Sequence, residues 1–361
     1  MPFLEDNDEY ETWLAKQCEV VKRDLKKKHK RMAESPFRFL RATYFRWARK
    51  IEEVLPALAN APQVLAVGDA HLENFGTWRD AEGRLVWGVN DFDDAALMPY
   101  AFDLVRLATS AKLSPDLAQP EEAAAAILEG YARGLQTPHP VIVDEHAPWL
   151  FPFVTPSPSN REEFNQEIKA DPECQPPAQA VEGFSKSFPA GVKIDGYAAK
   201  SKGGGSLGRP RFIALATWQG GNIIREAKAL VLSGWDWAHK IEGAPQFLKL
   251  AEEAYRSPDP FLCVHNGFVF RRIAADTGKI DFNAPIAERF QSMLLDAMGQ
   301  DLGSIHAASA VSSQIAGHMK SLPADWLQDA ANKAKSFVQK DFAEWQEAHP
   351  KLVPDQEGSV T

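Results

Sequence analysis

Apolar and polar positions recur along this chain with two different periods, and the switches between them mark its elements. From about Asp8 to Met32, charged residues enclose spaced apolar positions (Tyr10, Trp13, Leu14, Val20, Val21, Leu25), which predicts an exposed helix. The Lys-rich run from Lys26 to Arg31 within it reads as a solvated helix face in preference to an anion-binding tail. Ser35-Pro36 breaks the pattern, and Phe37 to Leu55 predicts a second helix with aromatic bulk at Phe39, Tyr44, Phe45 and Trp47. The period then shortens. Val64 to Val67 reads as a short buried strand, and Leu85 to Val89 as another beyond a turn over Arg79 to Gly83. Helical spacing returns over Tyr100 to Leu113 and from Pro120 to Leu135.

From Thr137 to Pro189 the chain is rich in Pro, Ser and Asn, which predicts a long irregular insertion and a boundary between two units. Strand-type sequence follows at Val192 to Ala198, Arg211 to Leu215 and Ile223 to Leu230, with a hairpin over Phe261 to Ile273 turned at His265-Asn266-Gly267. Trp237 to Arg256, Ala284 to Ser309 and Pro323 to Ala348 carry helical patterns. The expectation is an α+β fold. A mainly helical unit takes residues 1–190 plus 275–361, and a small antiparallel β unit takes 191–274.

Composition narrows the classes. The 361 residues are 45% apolar and 25% charged, an ordinary globular balance. A formal charge of -9 disfavours a nucleic-acid binder, whose affinity comes mainly from neutralising phosphates. No run of about eighteen apolar residues marks a membrane span. Cys18, Cys174 and Cys263 lie far apart, in no metal-ligand spacing, and the acidic opening residues do not resemble a signal peptide. The expected setting is reduced and cytoplasmic.

The chemistry concentrates after the first strand, in Gly68-Asp69-Ala70-His71-Leu72-Glu73-Asn74-Phe75-Gly76, and after the second, in Asn90-Asp91-Phe92-Asp93-Asp94. Phosphoryl transfer needs a carboxylate to orient the attacking hydroxyl and hard oxygen ligands for Mg²⁺. Asp69 supplies the first; Asn74 and Asp91 supply the second, in the order of a kinase catalytic loop and its metal-binding Asp. Asp and Asn also form ordinary turns, but the whole string is far rarer than either part.

A glycine-rich loop, Gly203 to Gly208, fits Gly-x-Gly-x-x-Gly through Gly203, Gly205 and Gly208, with Ser206 between them. It is followed by a strand, whereas a dinucleotide-binding loop opens a helix. Strand, glycine loop, strand is instead the arrangement that covers ATP phosphates in kinases. Lys228 stands on the next strand, where a kinase lysine reaches the α- and β-phosphates and pairs with a helix glutamate. Among Glu242, Glu252 and Glu253, Glu252 is the expected partner. The glycine loop and lysine come more than a hundred residues after Asp69, the reverse of the usual kinase order. A circular permutation accounts for this, with Leu302 to Ala307 as the helix that leads into the catalytic loop.

These strings are similar to those of small-molecule kinases of the aminoglycoside phosphotransferase and choline kinase type, with Gly-Asp-x-His-x-x-Asn, Asp-Phe-x-x-Ala and an Asp-Leu pair, here Asp103-Leu104. The chain more closely resembles the bacterial family called domain of unknown function 2252, through Ser35 to Arg41, Gly68 to Gly76, Asn90 to Asp93, Asp103 to Leu107 and Gly203 to Gly208. It departs from that family at Glu226-Ala227-Lys228-Ala229, where Gln-x-Lys-Glu is typical. The resemblance implies a bilobal, circularly permuted protein-kinase-like fold that takes ATP and Mg²⁺ and phosphorylates a hydroxyl of a small acceptor. His71 would brace the backbone beside Asp69, Asp93 and Asp103 would support the loops, and Arg41 and Arg106 would touch phosphate or substrate. Arg271 and Arg272 fit surface or structural ion pairs equally well. Trp235 and Trp237 fit core packing, and His306 a satisfied buried histidine. Nucleotidyl transfer on the same fold and a non-catalytic nucleotide-binding regulator are the rival readings.

Overall fold

A computed structural model of the chain describes residues 2–201, 205–278 and 288–354. It opens with four helices, α1 (Phe3–Gln17), α2 (Lys22–Met32), α3 (Pro36–Ala42) and α4 (Tyr44–Val54). Both expected N-terminal helices are therefore broken in two. The second breaks at Thr43, whose hydroxyl donates to the Phe39 carbonyl at 2.7 Å; Ser35 caps α3 by accepting from Arg38 N–H. Nor is the first an exposed helix. Phe3, Asp6, Asn7, Tyr10 and Leu14 are buried, Tyr10 stacks on Phe45 at 4.3 Å, and Asp6 pairs with Arg46 and Arg49 of α4. The polar Asp6 and Asn7 hid this face from the hydrophobic pattern.

Strand β1 (Gln63–Ala66) leads into the Asp69 loop and pairs with β4 (Ala96–Pro99), while β2 (Phe75–Arg79) and β3 (Leu85–Val89) form an antiparallel hairpin. After α5 (Tyr100–Leu113) and α6 (Ala123–Gln136) comes the segment expected to be irregular. It instead holds β5 (Val141–Ile142), which extends the hairpin to three strands, and the helices α7 (Val143–His146), α8 (Phe151–Val154), α9 (Pro158–Ala170) and α10 (Ala178–Ser187). Ser157 and Asn160 form a capping box at the start of α9, so the Ser, Asn and Pro residues mark a helix start.

The larger sheet contains β6 (Lys193–Ala199), β7 (Arg211–Trp218), β8 (Gly221–Ala229), β9 (Cys263–His265) and β10 (Phe268–Arg272), antiparallel throughout in the order β6-β7-β8-β10-β9. Asn266 and Gly267, both at positive φ (47° and 77°), make the two-residue turn between β9 and β10. Alternation gives the sheet two characters. One face packs Phe212, Ala214, Ala227 and Phe270 against Phe184 of α10. The other turns Arg211, Glu226, Lys228 and Arg271 together, because Arg211 is paired with Lys228 and Glu226 with Arg271 in register. Between β8 and β9 lie α11 (Gly234–His239) and α12 (Phe247–Ala251), and their Trp235, Trp237, Phe247 and Leu250 join the main helical core. The two tryptophans are thus core residues, Trp237 against Tyr10 and Phe45, Trp235 against Phe102.

The chain closes with α13 (Glu288–Ala307), α14 (Ser312–Ser321) and α15 (Trp326–Ala348). The architecture is thus mixed α+β with small antiparallel sheets. Among the described residues no helix is long and apolar enough to cross a membrane. Helices α6 and α13 cross with backbones almost touching. A Cβ at Gly130 would lie 1.8 Å from the Asp296 carbonyl oxygen, and one at Gly303 would lie 2.4 Å from that of Tyr131. No side-chain rotation relieves a clash with backbone, so Gly130→Ala is expected to destabilise the fold by about 1–3 kcal/mol. Urea unfolding would show this as a lower midpoint at unchanged slope.

Candidate functional site

The loop after β1 is held by its backbone. Asp103, at the start of α5 and fully buried, accepts from Val67 N–H at 2.8 Å and Gly68 N–H at 2.9 Å. His306 Nε2 lies 3.1 Å from the same carboxylate and its Nδ1 2.9 Å from Tyr131 Oη, so His306 is a satisfied buried histidine. Gly68 sits at φ +80°, where a Cβ would meet the Asp94 carbonyl oxygen at 2.2 Å; glycine is required for that turn. Ser110 Oγ accepts from Leu72 N–H at 3.1 Å, fixing the far side of the loop.

This scaffold aims the functional groups. Arg106, fully buried on α5, donates through Nε to Asp69 Oδ1 at 2.7 Å and through Nη2 to the Leu40 carbonyl. Asp69 Oδ2 makes no hydrogen bond among the described residues and lies 3.8 Å from His71 Nε2. Burial raises the Asp69 carboxyl above its ordinary range, and Arg106 opposes that rise. Asn74 donates its amide to two backbone carbonyls, Asp69 at 3.0 Å and Asp91 at 3.1 Å, and so ties the two loops together. Its buried Oδ1 has no hydrogen-bond partner among the described residues.

Lys228, 1% exposed on β8, brings in the sheet. Its Nζ lies 2.9 Å from each Asp91 oxygen and 2.8 Å from Asp93 Oδ2. Arg209, immediately after the glycine loop, reaches Asp93 at 3.2 Å and Tyr10 Oη at 3.3 Å. Burial and the neighbouring Asp91 push the Asp93 carboxyl up to about 6, against the pull of Lys228 and Arg209. Burial likewise takes Asp94, which accepts from Gly234 N–H, up to about 6.

Other expected residues fall as follows. Gly203 lies outside the described residues. Gly205 sits over Asp69, where a Cβ would be 3.7 Å from Asp69 Oδ2 and 2.7 Å from the Arg41 carbonyl. Ser206 Oγ accepts from Arg211 at 3.0 Å, and the Gly208 carbonyl accepts from Val21 N–H at 2.8 Å. Arg41 pairs with Glu73 at 2.8 Å. The expected Lys228–Glu252 pair is a correction. Glu252 is exposed at the end of α12, and buried Lys228 takes its carboxylates from Asp91 and Asp93.

Pattern reading missed Glu226. It lies two residues before Lys228, on the same face of β8, 3.1 Å from Arg211 and 2.8 Å from Arg271. Strand alternation alone would have flagged it. Arg271 is thus part of a structural ion pair, and it also donates to the Asn90 carbonyl at 3.1 Å. Arg209 was likewise missed, since an isolated basic residue carries no periodic signal, and Lys28, read with its run as a solvated helix face, is instead buried.

A divalent cation fits the donors present. Orphaned oxygens at Asn74 Oδ1 and Asp93 Oδ1 stand with the Asp91 carboxylate, all hard ligands. Among the described residues no three His, Cys, Asp or Glu side chains converge on one point. A cleft lined by Trp78, Asn90, Phe92, Phe247, Arg256 and Arg271 adjoins this cluster through Asn90 and does not include Asp69 or Lys228.

The Glu226 layer gives a pH signature. Burial would raise its carboxyl, but Arg211 and Arg271 overcome this and hold it at about 2, below its ordinary 4.5. Its stabilisation is complete above pH 4.5 and is lost as pH falls toward 2. Glu226→Gln should therefore cost about 3–5 kcal/mol at neutral pH, the usual effect of breaking a buried pair. The gap between wild type and variant should close in chemical unfolding curves taken at progressively lower pH.

Over residues 20–137 the chain matches a family described as uncharacterized protein conserved in bacteria (DUF2252). That stretch holds Asp69, Asn74, Asp91 and Asp103 and stops before the sheet that carries Lys228. No curated protein and no solved structure gives a significant match, so the kinase-type resemblance rests on the motifs alone. The chain is similar, through its first third, to a bacterial family of uncharacterized proteins.

Proposed function

We propose that this protein is an ATP- and Mg²⁺-dependent phosphotransferase acting on a hydroxyl of a small acceptor. The observation that carries the reading is the meeting of Lys228 with Asp91 at 2.9 Å, two groups 137 residues apart in sequence. Strand alternation and loop geometry bring Lys228 to Asp91 and Asp93, and this supports reading them as a phosphate-binding lysine and metal-binding carboxylates. In this reading the buried Asn74 Oδ1, which has no hydrogen-bond partner among the described residues, is kept for a ligand.

Support also comes from how Asp69 is held. One oxygen is anchored by Arg106 and the other makes no hydrogen bond among the described residues, the arrangement of a fixed general base. In the proposed reaction Asp69 Oδ2 accepts the acceptor's hydroxyl proton while the acceptor's hydroxyl oxygen bonds to the γ-phosphorus and the bond from that phosphorus to the ADP oxygen breaks. Lys228 exchanges a carboxylate for phosphate oxygens, and Gly205 to Gly208 bring backbone N–H groups over them. Mg²⁺, when bound, supplies charge neutralisation on the transferring group, and Asn74, Asp91 and Asp93 are the residues that would hold it. Buried Glu226 and its two arginines keep β8 rigid behind Lys228.

Two substitutions separate the roles. Asp69→Asn should lower phosphate transfer or basal ATP hydrolysis by about 10²–10⁴-fold and leave calorimetric binding of Mg²⁺-ATP nearly unchanged. Lys228→Met should weaken that binding directly. Full turnover by Asp69→Asn would exclude it as the base. Product mass, gaining phosphate and not AMP, distinguishes phosphoryl from nucleotidyl transfer.

A further inference from the structure

Three residues lining the cleft that adjoins Asn90 each keep one buried side-chain atom without a hydrogen-bond partner among the described residues: Asn90 Oδ1, Arg272 Nη2 and Thr277 Oγ1. The backbone of each is held. Asn90 N–H donates to the Asn74 carbonyl at 3.1 Å, and its own carbonyl accepts from Arg271 at 3.1 Å. Arg272 N–H donates to Asp259 at 2.9 Å, and Thr277 N–H to the Ala274 carbonyl at 2.9 Å. Each side chain thus starts from an anchored backbone and ends in an unused group. The set is one acceptor, one donor and one hydroxyl that can serve as either. Buried polar atoms left this way are costly, and three around one cleft call for an occupant.

The rest of the lining sets the occupant's character. Trp78, Val89, Phe92, Phe247 and Leu262 give the cleft apolar, largely aromatic walls. Phe92 and Phe247 meet edge to face with centroids 5.7 Å apart, a packing that suits a further aromatic ring. The charges are already answered. Arg256 pairs with Asp301 at 2.7 Å, Arg271 with Glu226 at 2.8 Å, and Arg272 lies 3.7 Å from Asp276. Asp259, the one carboxylate in the lining, accepts from Phe261 N–H at 3.1 Å as well as from Arg272. A charged ligand would lose its water here without gaining a free counter-charge.

We propose that this cleft binds an uncharged aromatic molecule whose edge carries an N–H donor beside an acceptor, such as a carboxamide or an amino-heterocycle. Asn90 Oδ1 accepts the ligand's N–H, and the ligand's acceptor takes the Thr277 hydroxyl or Arg272 Nη2. Neither Asp69 nor Lys228 lines the cleft, so this ligand is separate from the nucleotide. Asn90 directly precedes Asp91, which sets the occupant beside the proposed metal-binding carboxylate. The site stands on the cleft's own geometry and does not need the phosphotransferase reading.

The test is ligand-observed NMR titration of the full chain with benzamide, benzoate and toluene. It is repeated on Asn90→Ala, Thr277→Val and Leu262→Trp, with thermal melts to check folding. Benzamide should bind in the millimolar range or tighter. Benzoate and toluene should each bind about tenfold more weakly or worse, the first for its charge and the second for its missing polar edge. Asn90→Ala and Thr277→Val should weaken benzamide about three- to tenfold, and Leu262→Trp should abolish its binding by filling the space. A non-hydrolysable ATP analogue with Mg²⁺ should bind alongside benzamide. Absence of benzamide binding, equal binding of all three probes, or unchanged affinity in the folded variants would each overturn the proposal. Displacement of benzamide by the nucleotide would overturn it too, by assigning the cleft to the nucleotide's own base. A chain that binds benzamide and no nucleotide would sink the phosphotransferase reading and leave this site standing.

Discussion

A buried ammonium needs countercharge, and Lys228 finds it only across the molecule, in Asp91 and Asp93. Inside a protein an unpaired charge of this kind costs several kcal/mol, so the sheet and the β2–β3 hairpin are obliged to meet there. The charged face of the sheet follows from the same constraint. Glu226 pairs with both Arg211 and Arg271 beside Lys228, and Arg209 adds a second hold on Asp93. The opposite face, with Phe212 and Phe270 on Phe184 of α10, is apolar.

Around that junction the functional groups are fixed from behind. Asp103 positions the Asp69 loop through two backbone N–H groups, and Asn74 spans the two loops through two carbonyls. Asp301, fully buried on α13, accepts from Val89 N–H and from Arg256, which donates to the Val89 carbonyl, so the strand entering Asn90-Asp91 is clamped at its end. Each device satisfies a buried polar group while leaving one oxygen, Asp69 Oδ2 or Asn74 Oδ1, with no hydrogen bond to the described protein. Preorganisation of this sort is what the proposed transfer reaction would require.

Much of this was legible along the chain because it depends on local period and local turn chemistry. The helix of Tyr100 to Leu113, the strand of Leu85 to Val89 and the Asn266-Gly267 turn stand where their residues placed them. The Asp69, Asn74 and Asp91 motifs were legible because their spacing within one loop and one hairpin is itself the geometry. Glu252 was misplaced because choosing among three acidic residues requires knowing which is buried, and sequence distance says nothing about that. The segment after Thr137 was misjudged for a different reason: its helices are short, and their caps look like loop composition.

The sequence by itself therefore determined the strands β3, β7 and β8, the helices α5, α6, α13 and α15, and the two chemical blocks, since these follow from backbone sterics and side-chain alternation. Only the tertiary structure decided that Lys228 answers Asp91 and Asp93, that Lys28 is interior while its neighbours Lys26, Lys27 and Lys30 face solvent, and that α6 and α13 touch at their glycines. Those are questions of which charges and which backbones end up without water between them. That is settled by the packing of distant segments, which no local period encodes.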